Sequence, residues 1–198
     1  MGRAGVATGL VAVHRMSTPL CSVFIATSVD GFIARRDGGI DWLSRVERPG
    51  EDYGFAAFFE TVDALVMGRN TWEIVKAFPA WPYGDKRVIV LTHRPLSPVK
   101  KEETFSGEPR ALVEKLGREG VRRVYVDGGV VIQSFLRAGL VDELTVSQIP
   151  VLLGDGIPLF AGVGREQGLT LVESRAFESG LVKTSWRRPT PSEALPTR

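Results

Sequence analysis

The stretch Val121–Ile132, with the sequence VRRVYVDGGVVI, decides the fold of this chain. Its first half is rich in β-branched residues and predicts a buried strand. Gly128 and Gly129 then open a helix that we expect to run to Ala138, where Gly139 ends it. Glycines between a strand and a helix let a ligand approach the backbone and open the helix N-terminus to a pyrophosphate. The alternative is a tight strand-to-helix turn that needs a positive φ and binds nothing.

Alternating strands and helices precede this stretch, and strands alone follow it. Apolar, β-branched runs predict earlier buried strands at Leu20–Ala26, Ala64–Met67 and Arg87–Leu91. Helical spacing and a proline at a helix start predict helices at Phe55–Val62, Thr71–Ala77 and Pro109–Glu119. The last third predicts strands at Glu143–Leu153, Thr170–Phe177 and Leu181–Trp186. We therefore predict an α/β fold with a mixed, mostly parallel central sheet, helices on both faces and an antiparallel C-terminal hairpin.

A second glycine turn follows the predicted strand that ends at Met67. Here Gly68 precedes Arg69, Asn70 and Thr71 at the start of a helix. Free backbone N–H groups and the positive end of the helix dipole favour an anion at such a turn, and an arginine fork suits a phosphate. A capped helix start with a surface arginine is the alternative interpretation.

A third polar turn follows the strand Arg87–Leu91. Thr92 and Arg94 lie in this turn and could hold another phosphate or the edge of an adenine. A polar loop that Pro95 terminates is the simpler interpretation of the turn taken alone. Because the carboxyl ends of parallel strands meet at one edge of a sheet, we expect all three turns to lie together there.

Composition excludes several classes of protein. The 198 residues suit one domain, and a formal net charge of +2 gives no field that would attract nucleic acid or an acidic membrane. Cys21 is the single cysteine, which excludes an internal disulfide and a cysteine-rich metal site. No apolar run reaches the roughly 18 residues that a membrane span needs. We expect a cytoplasmic protein without a metal ion, a membrane contact or a nucleic-acid partner.

The two ends of the chain lack the pattern of the centre. Residues 1–18 predict a flexible tail, or extra residues upstream of a true start at Met16. Residues 188–198 contain prolines and no periodic pattern, and they predict a second flexible tail. Between the tails, residues 19–187 are expected to form one domain.

Several stretches occur in an order that is typical of a known superfamily. They are IATSVDGFIA at 25–34, VMGRNTW at 66–72, VDGG at 126–129, GLVDEL at 139–144, PVLLGDG at 150–156 and PLF at 158–160. Because these stretches occur in this order, the chain resembles the dihydrofolate-reductase-like superfamily. It most closely resembles the bacterial branch that is related to the reductase domain of riboflavin biosynthesis. The resemblance covers roughly residues 20–187 and implies the fold of that superfamily.

The resemblance also implies a cofactor, NADPH. Ala26 and Thr27 would meet the nicotinamide carboxamide, and the loop that ends at Ile33 would cover the ring. The phosphates and the adenosine would be held by Gly68, Arg69, Asn70, Thr71, Thr92 and Arg94, and the pyrophosphate by Gly128, Gly129, Val130 and Val131. Arg69 would favour the 2′-phosphate of NADPH over NADH, which agrees with the anion sites inferred from the turns.

The resemblance further implies a reductase of a small pyrimidine or pteridine, most like 5-amino-6-(5-phosphoribosylamino)uracil reductase. Dihydrofolate reduction and a non-catalytic NADPH-binding protein are the alternatives. Asp30 and Asp52 are the two candidates for the proton role, and each has a structural interpretation as a turn residue or a helix cap. A ribose phosphate has only Arg35, Arg36 and Lys86 as candidate ligands. Related reductases dimerise, so a homodimer is expected.

Overall fold

The computed structural model describes residues 18–190, 192 and 193. Most of the tail predicted at residues 1–18, including Met16, therefore lies outside the described residues. Ten strands are β1 Leu20–Ser28, β2 Phe32–Ala34, β3 Ala64–Gly68, β4 Arg87–Leu91, β5 Glu103–Phe105, β6 Arg123–Asp127, β7 Glu143–Ile149, β8 Ile157–Pro158, β9 Thr170–Ala176 and β10 Val182–Arg187. Four α-helices are α1 Phe55–Glu60, α2 Arg69–Val75, α3 Pro109–Arg118 and α4 Gly129–Arg137, and a 3₁₀ helix spans Asp41–Val46.

Eight of these strands form one sheet, in the order β5-β4-β3-β6-β1-β7-β10-β9. The strands from β5 to β7 pair in parallel, whereas β10 pairs antiparallel with both β7 and β9. This arrangement confirms the predicted mixed sheet and its antiparallel C-terminal pair. Parallel strands need crossover connections, and helices α2, α3 and α4 lie in these connections.

Helices cover both faces of the sheet, as the alternation predicted. Leu65 and Val66 are adjacent on β3, are both fully buried, and belong to different core clusters. Because successive side chains of a strand point to opposite faces, each face of the sheet carries its own core. Phe135 of α4 packs in the cluster of Val66, and Trp72 of α2 packs in the cluster of Leu65.

Several short elements were missed by the sequence analysis. The strands β2 and β8 form a separate antiparallel pair, and β5 is a three-residue edge strand. Strand β7 ends at Ile149 rather than at the predicted Leu153, because Pro150 has no N–H to continue the ladder. Helix α2 begins at Arg69 rather than at Thr71. No helix of the described part is long and apolar enough to span a bilayer.

The C-terminal segment after β10 contacts the domain. The guanidinium of Arg188 donates to the carbonyl oxygens of Gly139 and Val141 at 2.7 and 3.0 Å, and it pairs with Asp142 at 3.2 Å. Arg187 pairs with Glu193 at 2.6 Å. The tail predicted at residues 188–198 therefore begins with an anchored residue, and its flexibility stays a prediction.

Candidate active site

The sheet splits at the carboxyl ends of two central strands. Strands β1 and β6 pair only as far as Ser22 and Tyr125, although β1 continues along β7 to Ser28. Strand β6 stays with β3 and continues to Asp127. The Tyr125 hydroxyl donates across the gap to the carbonyl oxygen of Phe24 at 3.0 Å. Beyond this bridge the two backbones separate, and a cleft opens at the edge where ligands of α/β sheets bind.

The two glycine turns meet beside this cleft. Gly128 has φ of 85°, and a Cβ atom there would lie 2.2 Å from the Oγ1 of Thr71. A Cβ atom on Gly68 would lie 3.2 Å from the Cγ2 of Val131. The absence of side chains at both glycines is therefore what lets the start of α2 approach the start of α4. Sequence spacing predicted a shared edge, and the structure brings the turns into contact.

The third polar turn joins the other two through Arg69. The Nη1 of Arg69 donates to the carbonyl oxygen of Pro95 at 3.0 Å, and its Nη2 lies 3.4 Å from Glu73. In the same turn the backbone N–H of Arg94 donates to the Oγ1 of Thr92 at 3.1 Å. Arg94 and Asn70 are exposed. Arg94 is therefore accessible to a phosphate at this edge, and the Arg69 side chain is 27% exposed there.

The start of α4 is open to a ligand. None of the described side chains caps this helix, and Val130 in its first turn is 71% exposed. A Cβ atom on Gly129 would lie 2.9 Å from the Cδ1 of Ile33, so the β2 strand covers this turn at van der Waals distance. Uncapped N–H groups at a helix start, a close backbone approach and nearby arginines are the donors that a pyrophosphate needs. The residues present thus fit the phosphate-bearing part of NADPH.

A cavity of about 370 Å³ is lined by residues of β1 and β7, among others. Ala26, one of the residues predicted to meet the nicotinamide, lines this cavity, whereas Thr27 is buried at 2% exposure. The lining residues are Phe24, Ile25, Ala26, Leu43, Val46, Glu47, Arg48, Glu51, Asp52, Tyr53, Phe55, Ser147, Ile149 and Leu181. Strand β1 thus borders both a cleft whose donors fit a phosphate and a largely apolar cavity of the size of a small ring system.

The two predicted catalytic carboxylates occupy different places. Asp52 lines the cavity, and its oxygens accept from the backbone N–H groups of Gly54 and Ala56, each at 2.8 Å. These two backbone donors, Ala56 first, lower the pKa of Asp52 below its usual value. Asp52 therefore lies where a substrate could reach it and also caps the start of α1. Its catalytic role stays a prediction.

Asp30 is exposed and lies outside the cavity lining. Its oxygens accept from the backbone N–H groups of Leu153 and Gly154 at 3.1 and 2.7 Å. The Ser28 hydroxyl and these N–H groups lower the pKa of Asp30. The side chain thus holds the loop after β7 against the loop after β1, and a catalytic role for Asp30 also stays a prediction.

Asp127 is a carboxyl that the sequence analysis did not single out. It ends β6 on the same sheet face as Tyr125, and it accepts from its neighbour Gly128 N–H at 2.8 Å and from the Tyr83 hydroxyl at 3.4 Å. Desolvation by burial raises its pKa, although these donors oppose the rise. An acidic residue directly before the glycine pair was the available signal. Its hydrogen-bond partner Tyr83 is distant in sequence.

The split sheet, its strand order and its converging turns define an α/β fold of the dihydrofolate-reductase-like class. A family model, that of the RibD C-terminal domain, matches residues 19–183, and the chain belongs to this family. The resemblance inferred from the ordered motifs is therefore confirmed.

Individual relatives agree with the family assignment. YwjB of Bacillus subtilis (strain 168) is 39% identical over 158 residues, which cover 78% of this chain and 90% of YwjB. The riboflavin biosynthesis protein RibD of Corynebacterium ammoniagenes is 30% identical over 74% of this chain and 48% of its own length. A crystal structure of a putative riboflavin biosynthesis protein from Shewanella sp. PV-4 is 38% identical, with a TM-score of 0.81 over 86% of this chain and 99% of that one. These matches support a riboflavin-pathway reductase-like role.

Proposed function

We propose that the chain is an NADPH-dependent reductase of a small heterocycle, with the reaction type of 5-amino-6-(5-phosphoribosylamino)uracil reductase. One observation carries this proposal. The cleft with the phosphate-binding turns and the ring-sized cavity share strand β1, so a cofactor in the cleft would have its nicotinamide end beside a ring in the cavity. A hydride transfer needs this adjacency of two ligands.

NADPH, when bound, supplies a hydride to an unsaturated carbon of the substrate and leaves as NADP⁺, while a proton reaches the adjacent nitrogen or carbon. The chain's own residues provide orientation and exclude water. Arg69 and the open start of α4 would hold the phosphates, and Ile33 packs over Gly129. The apolar lining of the cavity, with Phe24 and Phe55, would hold a ring out of solvent.

The proton supply follows from the pKa directions. Asp30 and Asp52 have lowered pKa values, so both are ionised near neutral pH and serve as acceptors rather than as proton stores. Asp127 has a raised pKa and ends β6 at the edge of the cleft, within 3.4 Å of the Tyr83 hydroxyl. We assign Asp127 and the Tyr83 hydroxyl as the pair that can retain a proton beside the cleft.

A fluorescence titration with NADPH and NADH tests the proposal. Arg69→Ala should weaken NADPH binding by roughly tenfold or more, because a charge-assisted contact to the 2′-phosphate is lost, and should leave NADH binding nearly unchanged. Arg122→Ala is the matched control, since this arginine lies before β6 at the opposite edge of the sheet and its side chain is 85% exposed. Absence of binding to either nucleotide would overturn the reductase assignment.

Further parts of the proposal concern the whole molecule. We propose that residues 19–187 are one cytoplasmic domain that forms a homodimer. The edge strand β9 presents Leu171 and Val172 at 50% and 62% exposure, which is apolar surface suited to a second copy. Sedimentation at micromolar concentration should give twice the chain mass, and a monomeric mass would remove the dimer.

A further inference from the structure

Ser147 of β7 lines the sheet side of the cavity. Ser147 is 5% exposed, and its Oγ has no hydrogen-bond partner among the described residues. A buried hydroxyl without a partner costs free energy, and a ligand that supplies a donor or an acceptor would recover it. Aromatic side chains of Phe24, Tyr53 and Phe55 line the same cavity. These residues together fit a flat ring that carries a hydrogen-bonding group.

The charged residues of the cavity lie at its solvent side. Glu47, Glu51 and Asp52 supply three carboxylates to the lining, and Arg48 supplies one guanidinium. All four residues are exposed. The lowered pKa of Asp52 keeps this carboxylate ionised, since backbone N–H groups at the start of α1 donate to it. The entrance is therefore net negative.

Four other cations, which lie outside the cavity lining, have partners. Lys183 lies behind the lining, where its Nζ donates to the carbonyl oxygen of Tyr53 at 3.2 Å and partly offsets the charge of Asp52. The three basic residues considered for a ribose phosphate lie outside the lining and have other partners, which are Asp41 for Arg35, Asp155 for Arg36 and the Glu60 and Val62 carbonyls for Lys86. A phosphate on the substrate would have Arg48 as the single lining cation among the described residues.

We propose that the cavity takes an unphosphorylated flat heterocycle, with the Ser147 hydroxyl as a hydrogen-bond partner of the ring. This proposal rests on the reductase function above and narrows its substrate class. A dianionic phosphate at the entrance would face three carboxylates and one guanidinium, without a paired arginine fork to replace its hydration. A neutral or cationic ring system meets neither this repulsion nor this loss of phosphate hydration.

Matched substrates that differ only in a phosphate test the charge argument. One pair is 5-amino-6-(5-phosphoribosylamino)uracil and its dephosphorylated form, and a second is 7,8-dihydroneopterin and its monophosphate. NADPH oxidation gives kcat/KM, and calorimetry with NADP⁺ present gives affinity without turnover. In each pair that binds, the unphosphorylated member should be favoured by roughly tenfold at low ionic strength. This ratio should fall toward about threefold near 0.5 M salt, because the charges are exposed and screened, and Glu47→Gln should lower it further.

A stability measurement tests the role of Ser147 independently of any substrate. Ser147→Ala should raise Tm by about 2–4 °C, because it removes a buried hydroxyl that lacks a partner. Ser185→Ala is the matched control, because the Ser185 Oγ has a hydrogen-bond partner, the Oγ1 of Thr145 at 3.0 Å. Thr145 lies two positions before Ser147 on the same face of β7. The control should lower Tm by a similar amount. Ser147→Ala should also weaken binding of the preferred heterocycle roughly fivefold and leave NADPH affinity unchanged.

The outcomes distinguish an error in the substrate class from an error in the proposed reductase function. Equal affinity within a pair, or a preference for the phosphorylated member, overturns the unphosphorylated class. NADPH binding without binding of any of the four compounds overturns the assignment of the cavity to such rings. A Tm loss for Ser147→Ala equal to that of the control shows that the hydroxyl is satisfied in the free protein, which removes it as a ligand contact. Absence of NADPH binding, by contrast, refutes the proposed function itself.

Discussion

Replacement of Gly128 by alanine is the sharpest test of the cofactor site. Gly128 combines φ of 85° with ψ of 136°, a conformation that residues with a side chain rarely adopt. Holding alanine there costs about 1–3 kcal/mol. The new methyl group would also lie 2.2 Å from the Thr71 Oγ1 and 3.3 Å from its Cβ. A β-branched side chain in a helix has only one or two usable rotamers. Rotating the Thr71 side chain away from the new methyl group therefore adds about 0.5–1.5 kcal/mol to the loss of stability.

Together these costs give a loss of about 1.5–4.5 kcal/mol, whose midpoint corresponds to roughly 9 °C in Tm for a domain of this size. Gly120→Ala provides the matched control. Gly120 has nearly the same φ, 83°, but a Cβ atom there meets nothing within 4 Å. The control should lose only about 1 kcal/mol, or roughly 3 °C.

Thermal unfolding and NADPH titration of both variants give the result. Gly128→Ala should also weaken NADPH binding at least about tenfold, because the methyl group displaces Thr71, one of the residues expected to hold the phosphates. Gly120→Ala should leave the affinity unchanged. In a double-mutant cycle, Thr71→Ala should recover about 1 kcal/mol of the Gly128→Ala loss. Equal Tm losses and equal NADPH affinities in the two glycine variants would show that close packing of Gly128 against Thr71 matters neither for stability nor for the cofactor.

Other predictions concern ionisable groups. Asp127→Asn should raise Tm at neutral pH and change it little near pH 4. The pKa of Asp127 is higher in the folded than in the unfolded chain, so the stability of the wild type falls as pH rises above the unfolded-state pKa. A Tm difference that does not depend on pH would contradict this. Burial raises the pKa of the Cys21 thiol to about 12, so iodoacetamide near pH 8 should label the unfolded chain and spare the native one, as mass spectrometry can check. Asp52→Asn should lower Tm above about pH 5 and have less effect in acid. The ionised Asp52 stabilises the folded chain because its pKa is lowered there, and this stabilisation is lost as pH falls. Equal Tm losses at both pH values would exclude a role of the charge in capping α1.

The order of elements could be predicted because it depends on local chemistry. The β-branched run before Gly128 and the proline that starts α3 specify their elements with little help from distant residues. The elements that were missed, such as the pair of β2 and β8, have too few residues to carry a periodic pattern. Their pairing depends instead on chain segments that meet only after folding.

The site divides in the same way. The fold family, the three turns and the arginine suited to a phosphate could be predicted from the sequence. A glycine keeps its conformational freedom, and an arginine keeps its donors, wherever the residue lies in the fold. Which of these groups share a site depends on the tertiary structure. The gap between β1 and β6, the unpartnered Ser147 hydroxyl and the raised pKa of Asp127 all depend on strand pairing and packing between distant segments. Desolvation and contact are properties of neighbours in space, which spacing along the chain does not encode.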